Sequence, residues 1–223
     1  MTRSFAVLRT NAERYSQGLH AVALTKGKEE RPDSMHSFGE KLKFLAEFIR
    51  APRMVGSVVP TSPRVISSLL DRVDWPSTRL FVEYGPGVGT FTRPVLERLG
   101  SDARLIAIDT SRRFIDHLAQ TIHDPRLVLV HGSAADVEAI VARSAPGQQV
   151  DYVLSGLPFS TLPKQVGDAI VAATYRVLRR DGAFLVYQYS GLFLPLLQPH
   201  FTAVTKARIW NNIPPCVVAA ARK

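Results

Sequence analysis

Short apolar runs alternate with amphipathic stretches along most of this chain. Leu80-Phe81-Val82 reads as a strand running into the acidic Glu83, with a glycine-rich turn after it and a helical pattern directly after Thr90. Leu105 to Ile108 reads as a second strand ending at Asp109, and Phe114, Ile115 and Leu118 mark the helix that follows. Leu127 to Val130 is the third strand and Val137 to Arg143 a short helix. Asp151 to Leu154 is the fourth strand. Ala169 to Leu178 lies in a helix stopped by Asp181-Gly182, and Ala183 to Tyr189 is the fifth strand. Such alternation with short connections predicts an α/β fold, a parallel sheet with helices on both faces. The tail breaks the rule. Ala203 to Trp210 and Cys216 to Ala220 are joined by a loop too short for a crossover helix, so they predict an antiparallel hairpin at the sheet edge.

Two helical patterns precede the first strand. Phe38, Leu42, Leu45 and Ile49 share one stripe, with Glu40, Lys43, Glu47 and Arg50 opposite and Phe44 and Phe48 widening the apolar side. Lys41, Lys43, Arg50 and Arg53 outnumber the local acids, which suits a helix docked on its own domain and a membrane-surface helix equally. Further on, Thr61 or Ser62 caps a helix with Pro63 in its first turn. Val65, Ile66, Leu69 and Leu70 form its buried face, and Trp75-Pro76 ends it. The expected organisation is therefore a flexible extension over residues 1–36, or a start placed ahead of Met35, then an amphipathic membrane or lid helix over 37–53, then one domain over 54–223.

Composition narrows the class. A hydrophobic content of 46% with 21% charged residues describes a globular protein, and no apolar run approaches membrane-spanning length. A single cysteine excludes an internal disulfide, and six scattered histidines without ligand spacing predict no metal site. Lys plus Arg number 28 against 19 for Asp plus Glu, a net charge of +9, which favours a polyanionic partner: nucleic acid or an anionic lipid surface.

The turn Glu83-Tyr84-Gly85-Pro86-Gly87-Val88-Gly89-Thr90 lets the backbone approach a ligand closely. A dinucleotide fingerprint needs a small residue three places after its second glycine, but Thr90 stands there and the extra glycine is Gly89. The E-x-G-x-G-x-G form resembles motif I of the class I S-adenosylmethionine (SAM)-dependent methyltransferases, whose Rossmann-like sheet also carries a C-terminal antiparallel hairpin. That resemblance implies SAM as cofactor. Gly85, Pro86, Gly87 and Thr90 would wrap its amino-acid end, and Glu83 would hold the turn or the amino group. Asp109 lies at the distance expected of an acid that accepts both ribose hydroxyls, with Thr110 beside it. Ser133 and Ala134 stand at the adenine position, where the serine replaces the usual aspartate, and Ser155 lies below the transferred methyl. Met54, Gly56, Ser57 and Thr61 complete the implied set.

The fourth strand leads into Ser155-Gly156-Leu157-Pro158-Phe159. Methyltransferases acting on adenine amines carry an asparagine where Gly156 stands, and its side chain accepts a hydrogen bond from the weakly basic amine. An alkylamine needs no such help once deprotonated. Together with Pro52-Arg53-Met54-Val55-Gly56-Ser57, Tyr187-Gln188-Tyr189 and Trp210-Asn211-Asn212-Ile213-Pro214-Pro215, this segment resembles the bacterial phospholipid N-methyltransferases, a group related to the ribosomal RNA adenine dimethylases. The resemblance implies methylation of phosphatidylethanolamine toward phosphatidylcholine by a cytoplasmic enzyme peripheral to the membrane. Anionic lipid would meet the Phe38–Arg50 helix, and nucleic acid would not be a partner. Tyr189, Tyr187, Phe159 and Trp210 are the candidates for holding the substrate ammonium by cation–π attraction. A tyrosine hydroxyl or the lipid phosphate would relay the proton, and Lys164, Arg64 and Arg208 are candidates for that phosphate. Two other readings stand beside this one: an RNA adenine-N6 dimethyltransferase, and a methyltransferase-like fold that only binds lipid or a partner. Oligomeric state leaves no mark in the sequence.

Overall fold

β1 (Leu80–Tyr84) is buried along its whole length, and its side chains alternate between two faces. Leu80, Val82 and Tyr84 enter one apolar core, and Phe81 enters another on the opposite side of the sheet. β4 (Val150–Ser155) divides in the same way, Val153 to the first core and Tyr152 and Leu154 to the second. Strands apolar on both faces need cover on both. The computed structural model describes residues 61–210, 212 and 214–223; the 1–36 extension, the Phe38–Arg50 helix and Met54, Gly56 and Ser57 lie outside the described residues.

The remaining strands are β2 (Arg104–Asp109), β3 (Leu127–His131), β5 (Leu178–Gln188), β6 (Ala203–Ile209) and β7 (Cys216–Arg222). They form one sheet in the order β3-β2-β1-β4-β5-β7-β6. β1 to β5 run parallel, and β7 lies antiparallel between β5 and β6, the predicted edge hairpin. The helices are α1 (Pro63–Leu70), α2 (Thr92–Arg98), α3 (Arg112–Thr121), α4 (Val137–Ser144), α5 (Lys164–Val177) and the short α6 (Leu194–Leu197). α1 and α2 cover one face with Val65, Leu69, Leu70, Val95 and Leu96. α4, α5 and α6 cover the other with Val137, Ile140, Ile170, Val171 and Leu197 around Phe184. Each such fully buried side chain contributes roughly 1.5–3 kcal/mol. Chain direction away from β1 reverses between its neighbours β2 and β4, so a crevice opens at the carboxyl ends of these strands.

Two local expectations change. Asp181-Gly182 is not a helix stop. α5 starts earlier, at Lys164 after Pro163, and has already ended at Val177, so Leu178 is strand. The pairing of β4 with β5 shifts register between Val150 and Tyr152, and Asp181 takes a positive φ of 64° at this irregularity. The start of α1 also differs. Ser62 occupies the capping position but its hydroxyl makes no cap bond; its backbone N–H donates instead to Asn212 Oδ1 at 3.1 Å. Asn212, nearly fully buried, also donates to the Pro214 carbonyl at 2.7 Å. Asn212 is thereby fastened to the N-terminus of α1.

Candidate active site

The turn after β1 is built from three left-handed glycines: Gly85, Gly87 and Gly89 have φ of 65°, 55° and 89°. At Gly89 a Cβ would stand 2.9 Å from Leu118 Cδ2, so α3 packs directly on the turn. At Gly87 a Cβ would meet nothing within 4 Å, which leaves open space above the backbone. Asp109 closes β2 opposite this turn. Its Oδ1 accepts from the Ser111 N–H at 2.8 Å, and its Oδ2 faces the Gly87 N–H at 3.4 Å. Burial raises the carboxyl above its ordinary value, against the lowering effect of the hydrogen bonds from Ser111 and Gly87.

One crevice brings Gly85, Asp109, Thr110, Ser133 and Ala134 together, floored by Ile108 and Ile170 and bordered by Leu157 and Pro158. An apolar slot for a flat base, beside a carboxylate and an open glycine turn, fits SAM: Asp109 would hold the ribose, and Ala134 and Ile108 the adenine. Ser133 spends its oxygen on the Ala135 N–H at 3.2 Å, which caps the short 3-10 turn Ala134–Asp136. Pro86, Gly87 and Thr90 belong to the turn without lining this crevice, and Thr61 and Ser155 also lie apart from it. The Ser155 hydroxyl accepts from the Leu157 N–H at 3.2 Å and shapes the loop after β4.

Glu83 points to the α2 side of the sheet, away from the crevice. Thr92 Oγ1 donates to its Oε2 at 2.7 Å, so the acid ties β1 to α2 across the turn. Burial pushes its carboxyl up to about 7, the Thr92 bond opposing and Asp109 reinforcing that rise. A carboxyl raised on folding contributes stability that is complete below the unfolded value of 4.5 and is lost as pH rises through about 7. Glu83→Gln is therefore expected to remove a decline of roughly 3 kcal/mol between pH 4.5 and 8. Urea unfolding of both proteins at pH 5 and pH 8 checks this, and equal pH dependence in the two would refute it.

A second cavity of about 280 Å³ adjoins the first through Pro158 and is lined by Gly156, Ser160, Tyr187, Gln188, Tyr189 and Ser190. Tyr187 and Tyr189 thus come together as expected for an acceptor site. The Tyr187 ring packs on Phe91 with centroids 4.7 Å apart, and its hydroxyl lies where a side chain at position 156 would go, 2.7 Å from a Cβ built there. Burial, and then the charge of Glu83, push the Tyr187 hydroxyl far up, so at neutral pH it is a donor and not a base. Tyr189 is 52% exposed.

Phe159 and Trp210 do not share this cavity. The Phe159 ring is buried in the core, edge-on to Phe184 at 6.2 Å, because the loop after β4 turns it inward under α5. Trp210 stands on the surface with the Arg208 guanidinium 5.0 Å from its ring, so the cation it holds belongs to the protein. Lys164 pairs with Asp168 at 2.7 Å one turn along α5, and Arg64 is exposed on α1. Gln188 entered the sequence reading only as the middle of Tyr187-Gln188-Tyr189, with no role of its own. Its signal is positional: Phe184, Val186 and Gln188 share one face of β5, and the polar residue ends an apolar row.

The methyltransferase domain family matches this chain over residues 81–182. An ornithine lipid N-methyltransferase of Singulisphaera acidiphila is 25% identical over 174 residues, covering 77% of this chain and 90% of that protein. A probable ribosomal RNA small subunit methyltransferase A of Methanospirillum hungatei is 34% identical over 104 residues, 45% of this chain, and the match spans only 36% of that relative. Among solved structures, the 1,6-didemethyltoxoflavin-N1-methyltransferase of Burkholderia thailandensis, bound to S-adenosylhomocysteine, superposes with a TM-score of 0.60 at 18% identity, covering 92% of this chain and 97% of that one. The N-methyltransferase NodS of Bradyrhizobium japonicum, also bound to S-adenosylhomocysteine, gives 0.58 at 14% identity over 84% of this chain and 97% of that one. The fold is that of the class I SAM-dependent methyltransferases, with S-adenosylmethionine as cofactor.

Proposed function

We propose that this chain transfers methyl groups from SAM to the amine of an amino-lipid headgroup at the cytoplasmic membrane face, with phosphatidylethanolamine as substrate and phosphatidylcholine as end product. The observation that carries the lipid reading is the distribution of exposed apolar side chains. Among the described residues the exposed large hydrophobics are Val88, Tyr189, Leu192 and Trp210. All four lie at or beyond the carboxyl ends of β1, β5 and β6, on the rim of the sheet edge where residues lining both cavities also lie. No helix among the described residues is long and apolar enough to cross a membrane, so contact in this reading is superficial. Ornithine lipid, named for the Singulisphaera relative, also presents an alkylamine and is the alternative lipid acceptor.

SAM supplies a methyl group on a sulfonium. The neutral amine donates its lone pair to the methyl carbon, the carbon–sulfur pair returns to sulfur, and the product ammonium releases a proton to solvent. Positioning does most of the work in such a displacement. Tyr187 and Tyr189 offer ring faces to the cationic amine. The chain's charge of +9 and its partial match to the Methanospirillum protein favour RNA as the second reading. Labelled-methyl transfer to phosphatidylethanolamine vesicles, ornithine lipid vesicles and bare ribosomal RNA separates these. Counts in RNA alone would overturn the lipid reading.

The rim makes its own prediction. Joint replacement of Leu192 and Trp210 by serine removes apolar side chains whose insertion is worth roughly 1.5–3 kcal/mol each. Vesicle co-sedimentation is expected to fall at least ~10-fold while SAM affinity holds. Undiminished sedimentation would move the membrane contact off this rim.

A further inference from the structure

We propose that the side-chain oxygen of Gln188 accepts an N–H of the substrate amine, so that this residue determines which methylation states of the amine are used. The proposal rests on the amine-methylation reading above and adds a specificity element to it. Gln188 is 7% exposed and ends β5 beside the acceptor cavity. Its Nε2 donates to the Leu157 carbonyl at 2.9 Å. That carbonyl is purely an acceptor, so the amide cannot be turned round without setting oxygen against oxygen. The carboxamide oxygen is thereby fixed on the other side, and among the described residues it is buried without a hydrogen-bond partner. Ser190 Oγ, of a residue lining the same cavity, is likewise buried and has no partner among the described residues. Two unmet polar atoms beside one cavity mark a place for a polar ligand, since each is costly to bury unpaired.

The chemistry of the oxygen selects the ligand group. A carboxamide oxygen accepts and never donates, so its partner must carry a hydrogen on nitrogen or oxygen. Gly156, which lines the same cavity, has no side chain to offer as an acceptor. Gln188 Oε1 differs from the hydroxyls of this cavity in being an acceptor alone, held in one orientation by the Leu157 contact. With one N–H held there, a neutral amine directs its lone pair along a remaining tetrahedral direction. Pro158 borders both this cavity and the SAM crevice, so the reacting partners meet across that residue.

A consequence follows for the successive methyl transfers. The attacking neutral forms of a primary and a monomethyl amine carry N–H groups; that of a dimethyl amine carries none. Gln188 therefore assists the first two transfers and gives the third nothing. The test measures kcat/KM for soluble short-chain lipids bearing ethanolamine, monomethylethanolamine and dimethylethanolamine headgroups, with wild type and Gln188→Leu. The expected result is a loss of roughly 10–100-fold on the first two substrates and less than ~3-fold on the third. Equal losses on all three, or none, would overturn the assignment while leaving amine methylation intact. A wild-type protein that methylates none of the three removes the amine reading and this proposal with it. The wild-type protein also supplies a readout independent of the variant's folding. The carboxamide carbon-13 resonance of Gln188 is expected to move when ethanolamine-headgroup lipid is added, and to stay in place with choline-headgroup lipid, which has no N–H. Identical shifts with both lipids, or no shift with either, count against the hydrogen bond.

Discussion

Asp109→Ala is expected to weaken SAM binding by about 1.5–3 kcal/mol, or roughly 10–150-fold, because hydrogen bonds to a charged group are lost at a partly desolvated site. The carboxylate is held in place from below by the Ser111 N–H and faces Gly87, so its position is set before ligand arrives. Preorganisation of this kind makes the loss fall on affinity, not on folding. Calorimetric titration of SAM checks the affinity, and thermal melting of the unliganded variant checks the fold. Since burial raises the Asp109 carboxyl, SAM affinity is also expected to fall on acidification earlier than an ordinary aspartate would allow. An Asp109→Ala protein that binds SAM as wild type would remove the acid from the site.

The largest effect on stability is expected from Asp151→Ala. Asp151 is nearly fully buried at the start of β4, where its Oδ2 accepts from the backbone N–H groups of Arg79 at 2.7 Å and Leu80 at 2.9 Å. Its Oδ1 accepts from Arg179 Nε at 2.5 Å. One carboxylate thus ties the beginnings of β1, β4 and β5 together. Alanine leaves two amides and a half-buried guanidinium without their acceptor, a loss of about 3–5 kcal/mol by analogy with broken buried pairs. At ~2–4 °C per kcal/mol for a domain of this size, the melting midpoint should drop by roughly 6–20 °C. Asp151→Asn retains one acceptor oxygen and is expected to fall between the two. A shift of under ~2 °C in the alanine variant would mean that water replaces the carboxylate.

Much of this architecture was legible because each strand had a periodic reason to exist. Leu80, Val82 and Tyr84 against Phe81 already imply two covered faces, and the brief Asn211–Pro215 connection already excludes a crossover helix. Asp109, Thr110, Ser133 and Ala134 were readable as one site because strand ends meet at a single edge of a parallel sheet. The acceptor side was less legible. An aromatic residue after a strand carries no mark of whether it faces a cavity or a core, so Phe159 and Tyr189 looked alike before the loop turned one inward. Glu83 met Thr92, a pairing set by how α2 leans on β1 and invisible in the motif itself. Asp181-Gly182 looked like a helix stop because the bond from Arg179 to Asp151 and the strand irregularity at Asp181 depend on a partner strand that is not adjacent in sequence.

The contact between Gly156 and Tyr187 constrains the order in which this protein's descendants can change. A Cβ at position 156 would stand 2.7 Å from the Tyr187 hydroxyl and 3.2 Å from the ring carbon that bears it. Any side chain acquired at 156 before that hydroxyl is lost collides with a half-buried ring already wedged against Phe91. Losing the hydroxyl first, through Tyr187→Phe, relieves the tightest of these contacts and leaves the ring carbon at 3.2 Å and the Gly85 carbonyl oxygen at 3.3 Å to yield by a few tenths of an ångström. The two sites are thus epistatic with a preferred sequence of events.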